Sequence, residues 1–316
     1  MLRYIIKRLL STIPIIIAIS MIIFVLLSIA PGEPAHLIIG REATPEQIEL
    51  LNHQLGLDQP LWKQYLDYVN NCLHGDFGMS YQSRGPVIDE IAVRFPVTLR
   101  LSIFSTMLVI CFGVSIGIIS AVKQYSKLDM TVTTASLVLA SMPDFWIGLM
   151  LMLVFALKLR WVPPYGASDW TGYILPVFVL SLGIMAMVVR VTRGTMLEVI
   201  RQDYIRTARA KGADEKRVIF KHALKNALIP IVTVIGNDFG NILAGAIVVE
   251  TVFSLPGMGT LIVNAVKIKD IPMAMTATLF VAILYSLVVL ILDIIYAWID
   301  PRIKAEFSRK RVKGRG

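Results

Sequence analysis

Long apolar runs, rather than short alternating ones, set the pattern of this chain. Leu9 to Ile29 contains no charged residue. Further runs cover Leu101 to Val122, Met130 to Leu157, Tyr173 to Val189, Ala227 to Val249 and Leu279 to Ile299. A helix that crosses a bilayer needs about 20 predominantly apolar residues. A half-buried strand would alternate apolar and polar positions, and these runs do not. The pattern predicts an all-α polytopic membrane protein with six transmembrane helices, at 9–30, 101–122, 130–157, 173–189, 227–249 and 279–299. Pro143-Asp144 interrupts the third run. The fourth is the shortest and ends on Arg190, whose long side chain can reach the interface. Arg3, Lys7 and Arg8 precede the first run as they would in a signal peptide. Its apolar core is longer than a signal peptide's, however, and Pro31-Gly32-Glu33-Pro34 follows in place of a small-residue cleavage site. An uncleaved span is expected.

Composition agrees. The 316 residues are 56% hydrophobic and 17% charged, and the mean hydropathy is +0.69. Soluble domains carry about a quarter charged residues, so an ordinary soluble enzyme is excluded. The net charge of +9 would point to nucleic acid in a soluble chain. In an apolar chain it points to basic loops facing a cytoplasm and anionic headgroups, and no nucleic-acid partner is expected. Cys72 and Cys111 form neither a disulfide framework nor a zinc motif.

Charge also orients the chain. Six spans place both termini on one side. That side, made of residues 1–8, Lys123, Lys127, residues 190–226 and the basic tail 300–316, holds 22 of the 31 Lys and Arg residues. The opposite side, made of 31–97, 158–173 and 250–278, holds eight. The bias makes both termini cytoplasmic.

The 31–97 segment is expected to form a helical extracytoplasmic loop, followed by a five-helix core over 98–299. Thr44-Pro45-Glu46-Gln47 reads as an N-cap, a proline at N1 and a capping-box glutamine, with Gly56 closing the helix. Asp58 to Pro60 can start a second helix, with Leu61, Trp62, Tyr65, Leu66, Val69, Cys72 and Leu73 on one face and Gly75 at its end. Pro86 can open a third, ending at Phe95. The loop reads as a cap over the helix ends or as a docking surface. The 190–226 segment carries ten basic and four acidic residues, with Gly212 between two helix-compatible pieces. It reads as a topology-setting loop or as a docking element for a cytoplasmic protein, and charge does not choose between them.

Particular residues add a resemblance. Asp203-Tyr204-Ile205-Arg206-Thr207-Ala208-Arg209-Ala210-Lys211-Gly212, then His222-Ala223-Leu224-Lys225-Asn226-Ala227-Leu228-Ile229-Pro230, resembles the EAA loop of ABC-importer permeases, in the dipeptide/oligopeptide/nickel branch. Supporting motifs are Met1-Leu2-Arg3-Tyr4, Leu55-Gly56-Leu57-Asp58-Gln59-Pro60, Gly75-Asp76-Phe77-Gly78, Ser141-Met142-Pro143, Glu250-Thr251-Val252-Phe253, Pro256-Gly257-Met258-Gly259 and Asp300-Pro301-Arg302. Arg206-Thr207-Ala208 stands where the general pattern has Glu-Ala-Ala, and Pro230 falls five residues late.

The resemblance implies a type I ABC-importer permease fold and one of two permease subunits in a bacterial or archaeal cytoplasmic membrane. It implies two cytoplasmic ATPase subunits that bind ATP and Mg, and an extracytoplasmic substrate-binding protein that delivers cargo. Arg206, Thr207, Ala208, Gly212, Ala213, Asp214, Arg217 and Leu224 would form the ATPase-coupling loop. Short peptides are the implied cargo. Nickel, a metal–chelator complex, or glutathione-like or opine cargo are alternatives.

Ionisable groups inside spans usually face a cavity or a partner. Asp144 lies beside Pro143, and Asp238 lies between Asn237 and Asn241. These four are the candidates for a hydrated translocation path, or else for hydrogen bonds between helices. Asp293 lies in the sixth run. Gly236, Gly240 and Gly245, and the pair Gly113 and Gly117, are expected at close helix contacts. No phosphate-binding Gly-x4-Gly-Lys-Ser/Thr motif and no zinc-protease motif occur, so the chain itself is expected to bind neither nucleotide nor metal, and not to be an enzyme. His36, His53, His74 and His222 are scattered. A proton-coupled secondary transporter using Asp238 is a distant alternative, and an intramembrane aspartic protease lacks its Gly-x-Gly-Asp context.

Overall fold

The apolar runs are helical in the computed structural model, which describes residues 2–29, 38–39, 44–166 and 169–299. The basic tail at 300–316 lies outside these residues. No β-strand occurs among the described residues. A single bridge pairs Met79 with Pro86.

The helices are α1 (Leu2–Ile29), α2 (Pro45–Gln54), α3 (Leu61–Leu73), α4 (Val87–Val122), α5 (Lys127–Ser141), α6 (Asp144–Lys158) and α7 (Trp170–Ile200). They continue with α8 (Asp203–Ala210), α9 (Glu215–Leu243), α10 (Ile247–Val252), α11 (Met258–Ile268) and α12 (Ile271–Ile299). Among the described residues five helices are long and apolar enough to cross a membrane, and there are up to six if the bent pair α5–α6 counts as one span. Exposed Ile, Leu, Val and Phe side chains on these helices would be liabilities in water. In hydrocarbon they are solvated.

Several boundaries differ from those expected from hydropathy. The third run is not one straight helix: it bends by 101° between Ser141 and Asp144. Pro143 supplies the reason. It lacks an N–H and pushes the preceding residue out of the helical region, and Met142 is extended at ψ 133°. The fourth helix is not confined to 173–189 but continues to Ile200, through Arg190, Arg193 and Glu198. Charged side chains end the apolar run without ending the helix. The fifth helix starts in the charged segment, at Glu215, and the sixth starts at Ile271. The loop helix expected to end at Phe95 does not end there, because α4 runs on past Pro96 into the second apolar run.

The chain forms two compact units. One comprises residues 1–99 and 255–286. Its buried core contains Phe24, Leu27, Val87, Ile91, Met258, Leu261 and Met273, with Phe95 and Phe280 meeting edge to face at 5.1 Å. The capping box of α2 is present in both directions: Gln47 N–H donates to Thr44 Oγ1 at 3.4 Å, and Thr44 N–H donates to Gln47 Oε1 at 3.0 Å. On α3, Tyr65 meets Ser20 of α1 at 2.7 Å. Leu61, Trp62, Leu66 and Leu73 are exposed instead of sharing the inward face, which is half-buried and made by Tyr65, Tyr68, Val69 and Cys72. The Gly-Asp-Phe-Gly motif is a turn. Gly75 and Gly78 sit at φ +84° and +78°, and Asp76 Oδ1 accepts the Gly78 N–H at 2.9 Å. The buried Asp270 carboxylate takes hydrogen bonds from Ser80 Oγ (2.5 Å), Gln82 N–H (3.2 Å) and Met273 N–H (3.3 Å).

The other unit comprises, of the described residues, those in 100–254 and 287–299. Helix α7 is its centre and packs against α4, α5, α6 and α9. A Cβ on Gly117 would stand 2.6 Å from Thr192 Cβ and 2.9 Å from the Val189 carbonyl oxygen, so only glycine permits this approach. Gly113 packs against Val188, and a side chain at Gly236 would overlap Leu292. Gly240 is buried, while the surroundings of Gly245 lie outside the description. The Phe253 ring covers Gly148, and the Phe253 carbonyl accepts the Gly166 N–H at 3.0 Å.

Candidate functional site

The 190–226 segment resolves into a helical hairpin at the end of the α7–α9 pair. Residues 190–200 complete α7. Arg201 and Gln202 turn the chain, and α8 follows as an amphipathic two-turn helix. Its one buried residue is Ile205, which joins Ile118, Ala121, Met196, Val218 and Ala223 in a common core, with Ala213 and Leu224 packed beside it. Burying an isoleucine contributes about 1.5–3 kcal/mol, enough to seat so short a helix.

Gly212 ends α8 at φ +80°. The Gly212 N–H donates to the Arg209 carbonyl at 2.9 Å, and the Ala213 N–H donates to the Ala208 carbonyl at 3.2 Å. This is the Schellman pattern, with glycine in the left-handed position. No heavy atom lies within 4 Å of a Cβ built there, so glycine is needed for its backbone and not for space. Asp214 then stands at the N-cap position of α9, where its backbone carbonyl accepts the Val218 N–H at 2.9 Å. Arg209 and Glu215 bridge the turn, with Nε to Oε1 at 2.6 Å and Nη2 to Oε2 at 3.3 Å.

Arg206, Thr207, Asp214 and Arg217 are exposed, Ala208, Ala213 and Leu224 are half-buried, and Gly212 forms the exposed tip. The hairpin therefore brings the expected coupling residues onto one protrusion, with Ala213 and Leu224 turned toward its base. Sequence reasoning missed Ile205 as the anchor and Arg209–Glu215 as the staple. Their signals were the amphipathic pattern of α8 and opposite charges flanking Gly212.

A second cluster had not been singled out. Asp129 is buried at the start of α5. Its carboxylate accepts Arg193 Nε at 2.6 Å, Arg193 Nη2 at 2.9 Å, Ser120 Oγ at 2.5 Å and the Tyr125 N–H at 2.9 Å. Ser126 caps the same helix by accepting the Asp129 N–H at 3.2 Å. The cluster ties the ends of α4, α5 and α7 together. Its sequence signal was Ser126-x-x-Asp129, a helix start.

The path candidates divide. Asn237 and Asn241 are exposed one turn apart on α9. Asp238 is half-buried, and its Oδ2 has no hydrogen-bond partner among the described residues. Asp144 is exposed in the first turn of α6, with Gly183 of α7 close to its Oδ1. Among the described residues no hydrogen bond links Asp144 to the α9 group, so the four do not form one hydrogen-bonded cluster. No group of three or more His, Cys, Asp or Glu side chains converges to hold a metal among the described residues.

Comparison with known proteins adds to this geometry. Residues 113–305 match the family described as binding-protein-dependent transport system inner membrane component. Residues 1–102 match the corresponding N-terminal family. The chain is 44% identical over 307 residues to the glutathione transport system permease protein GsiC of Escherichia coli (strain K12), covering 96% of this chain and 99% of that protein. The same figures hold for its counterpart in Shigella dysenteriae serotype 1 (strain Sd197). Among solved structures, a chain of the MetNI methionine ABC transporter in an inward-facing conformation is similar, with a TM-score of 0.57 and 17% identity. It covers 67% of this chain and 97% of that one, a likeness of fold.

Proposed function

The chain belongs to the family of binding-protein-dependent transport system inner membrane components, and from that premise we propose that it forms half of the transmembrane pathway of an ABC importer for short peptides. A second permease subunit completes the pathway in a bacterial inner membrane. Two cytoplasmic ATPase subunits bind ATP and Mg, and a substrate-binding protein delivers cargo from the opposite face. Glutathione, a tripeptide, leads the cargo candidates because the 44% identical relatives carry its name.

The observation that carries the coupling role is the anchored hairpin. Ile205 fixes its base, and Arg206, Thr207, Asp214 and Arg217 leave its tip accessible. A short stiff protrusion transmits displacement; a floppy loop would absorb it. Asp238 supports a hydrated route through the bundle, because a carboxylate oxygen without a protein partner calls for water, cargo or the second subunit.

The test is uptake by the whole assembly in proteoliposomes. Gly212→Val should preserve insertion and ATP hydrolysis while removing ATP-driven glutathione uptake. Wild-type uptake by that variant rules out coupling through the hairpin. Proton-driven uptake by this chain alone would instead place it among secondary transporters.

A further inference from the structure

A groove of about 460 Å³ opens between α4 and α7, where both enter their apolar stretches. Arg100, Asp169 and Trp170 line its exposed rim, Tyr173 lies buried in its wall, and Phe104, Ile174 and Val177 give it an apolar floor. The spacing is regular. Phe104 lies four residues beyond Arg100, Ile174 four beyond Trp170, and Val177 four beyond Tyr173. One α-helical turn is about 5.4 Å, so Arg100 stands above Phe104 and Tyr173 above Val177, while Trp170 opens the 3-10 turn that leads into the α-helix. Ser105 Oγ donates to the Val177 carbonyl at 3.2 Å and ties the helices together beneath the floor.

Two features ask for a ligand. Tyr173 is 6% exposed, and its hydroxyl has no hydrogen-bond partner among the described residues. A buried phenol left in that state is costly. Arg100 is exposed at the rim and makes no ion pair with a described residue. Across the mouth, the Asp169 carboxylate is occupied as a helix cap, accepting Thr171 Oγ1, Thr171 N–H and Gly172 N–H. Those bonds, that of the Thr171 hydroxyl first, hold its carboxyl below the usual carboxylate range. The groove thus offers one cation and one anion at its rim, and one buried hydroxyl in its wall, beside an apolar floor.

We propose that this groove holds a phospholipid with a zwitterionic, amine-bearing headgroup. Arg100 and the Tyr173 hydroxyl take the phosphate and its ester oxygens. Asp169 faces the ammonium, Trp170 lies at headgroup level as belt tryptophans do, and the first carbons of an acyl chain run over Phe104, Ile174 and Val177. A peptide zwitterion offers similar charges, but it leaves the apolar floor unfilled.

Native mass spectrometry of the full chain, released from detergent with defined probes, tests this. Dioleoyl-phosphatidylethanolamine should remain as one retained adduct and outcompete dioleoyl-phosphatidylglycerol. Arg100→Gln should weaken retention about tenfold, the loss of one charge-assisted contact. Tyr173→Phe, which keeps the ring and the fold, should weaken it about fivefold, the loss of one neutral hydrogen bond. Equal retention by wild type and both variants overturns the proposal. So does equal binding of glycerophosphoethanolamine, which has no acyl chain, or displacement of the lipid by glutathione, which would assign the groove to cargo. Only the glutathione outcome touches the transport reading, by supporting its cargo; failure of the lipid to bind leaves ATP-driven uptake to be tested separately.

Discussion

Asp129–Arg193 and Arg209–Glu215 are both two-point ion pairs led by a 2.6 Å contact, yet their surroundings differ. Asp129 is 4% exposed and Arg193 25%. Ser120 and the Tyr125 N–H saturate the same carboxylate. Arg209 and Glu215 are 39% and 59% exposed, and the Glu215 carboxylate takes no other hydrogen bond from a described residue. One pair is built into the packing of three helices; the other clips a turn from outside. Fork geometry alone does not decide what an arginine–carboxylate pair does. Desolvation and the remaining partners decide it.

Charge reversal should separate the two pairs most clearly. Asp129→Arg with Arg193→Asp should fail to yield a folded, monodisperse chain, because Ser120 and the Tyr125 N–H are arranged around a carboxylate. Arg209→Glu with Glu215→Arg should leave the hairpin intact. Equal tolerance of both swaps, measured by expression and gel filtration in detergent, would erase the distinction. Next in size is Arg193→Ala, which strands a buried carboxylate and should destabilise by about 3 kcal/mol, the low end for a broken buried pair given that two other donors remain. A clear drop in the thermal unfolding midpoint checks it. Gly212→Val should cost about 1–2 kcal/mol through its left-handed backbone, whereas Gly212→Asn should be milder; equal midpoints for the two would show that backbone strain is not the issue. The smallest effect is expected for Arg209→Ala, below about 1 kcal/mol and shrinking further in high salt. Its readout is the ratio of ATP hydrolysis to uptake, which should rise as the hairpin loosens.

The two pairs also show what was legible in the chain. Capping and turn chemistry is local, so the Thr44–Gln47 box, the turn at Gly212 and the interruption at Pro143 could be read from a few neighbours. The bend of 101° at Pro143 could not, because proline announces a break and packing sets its angle. Asp129 sits one residue before the third apolar run, and its partner is 64 residues away. A search for charges inside spans passes over it. Helix ends were misread for a related reason. Hydropathy marks the part of a helix that meets lipid, and α7, α9 and α12 continue beyond that part. The π-helical segments Val109–Val114, Met152–Lys158 and Val218–Ala223 leave no trace in composition.

Gly117 has one more consequence, for motion. The crossing of α4 over α7 leaves no room for a methyl group at that glycine. Surfaces fitted that closely cannot slide without first separating, and the Asp129 cluster resists separation at the same end of the pair. In mechanical terms α4 and α7 form a single beam there. Any pivot in this unit has to lie where the backbone ladder is already open. Met142–Pro143 is such a place, and α6, packed there against α7 and under the Phe253 ring, can turn about it only by giving up those contacts.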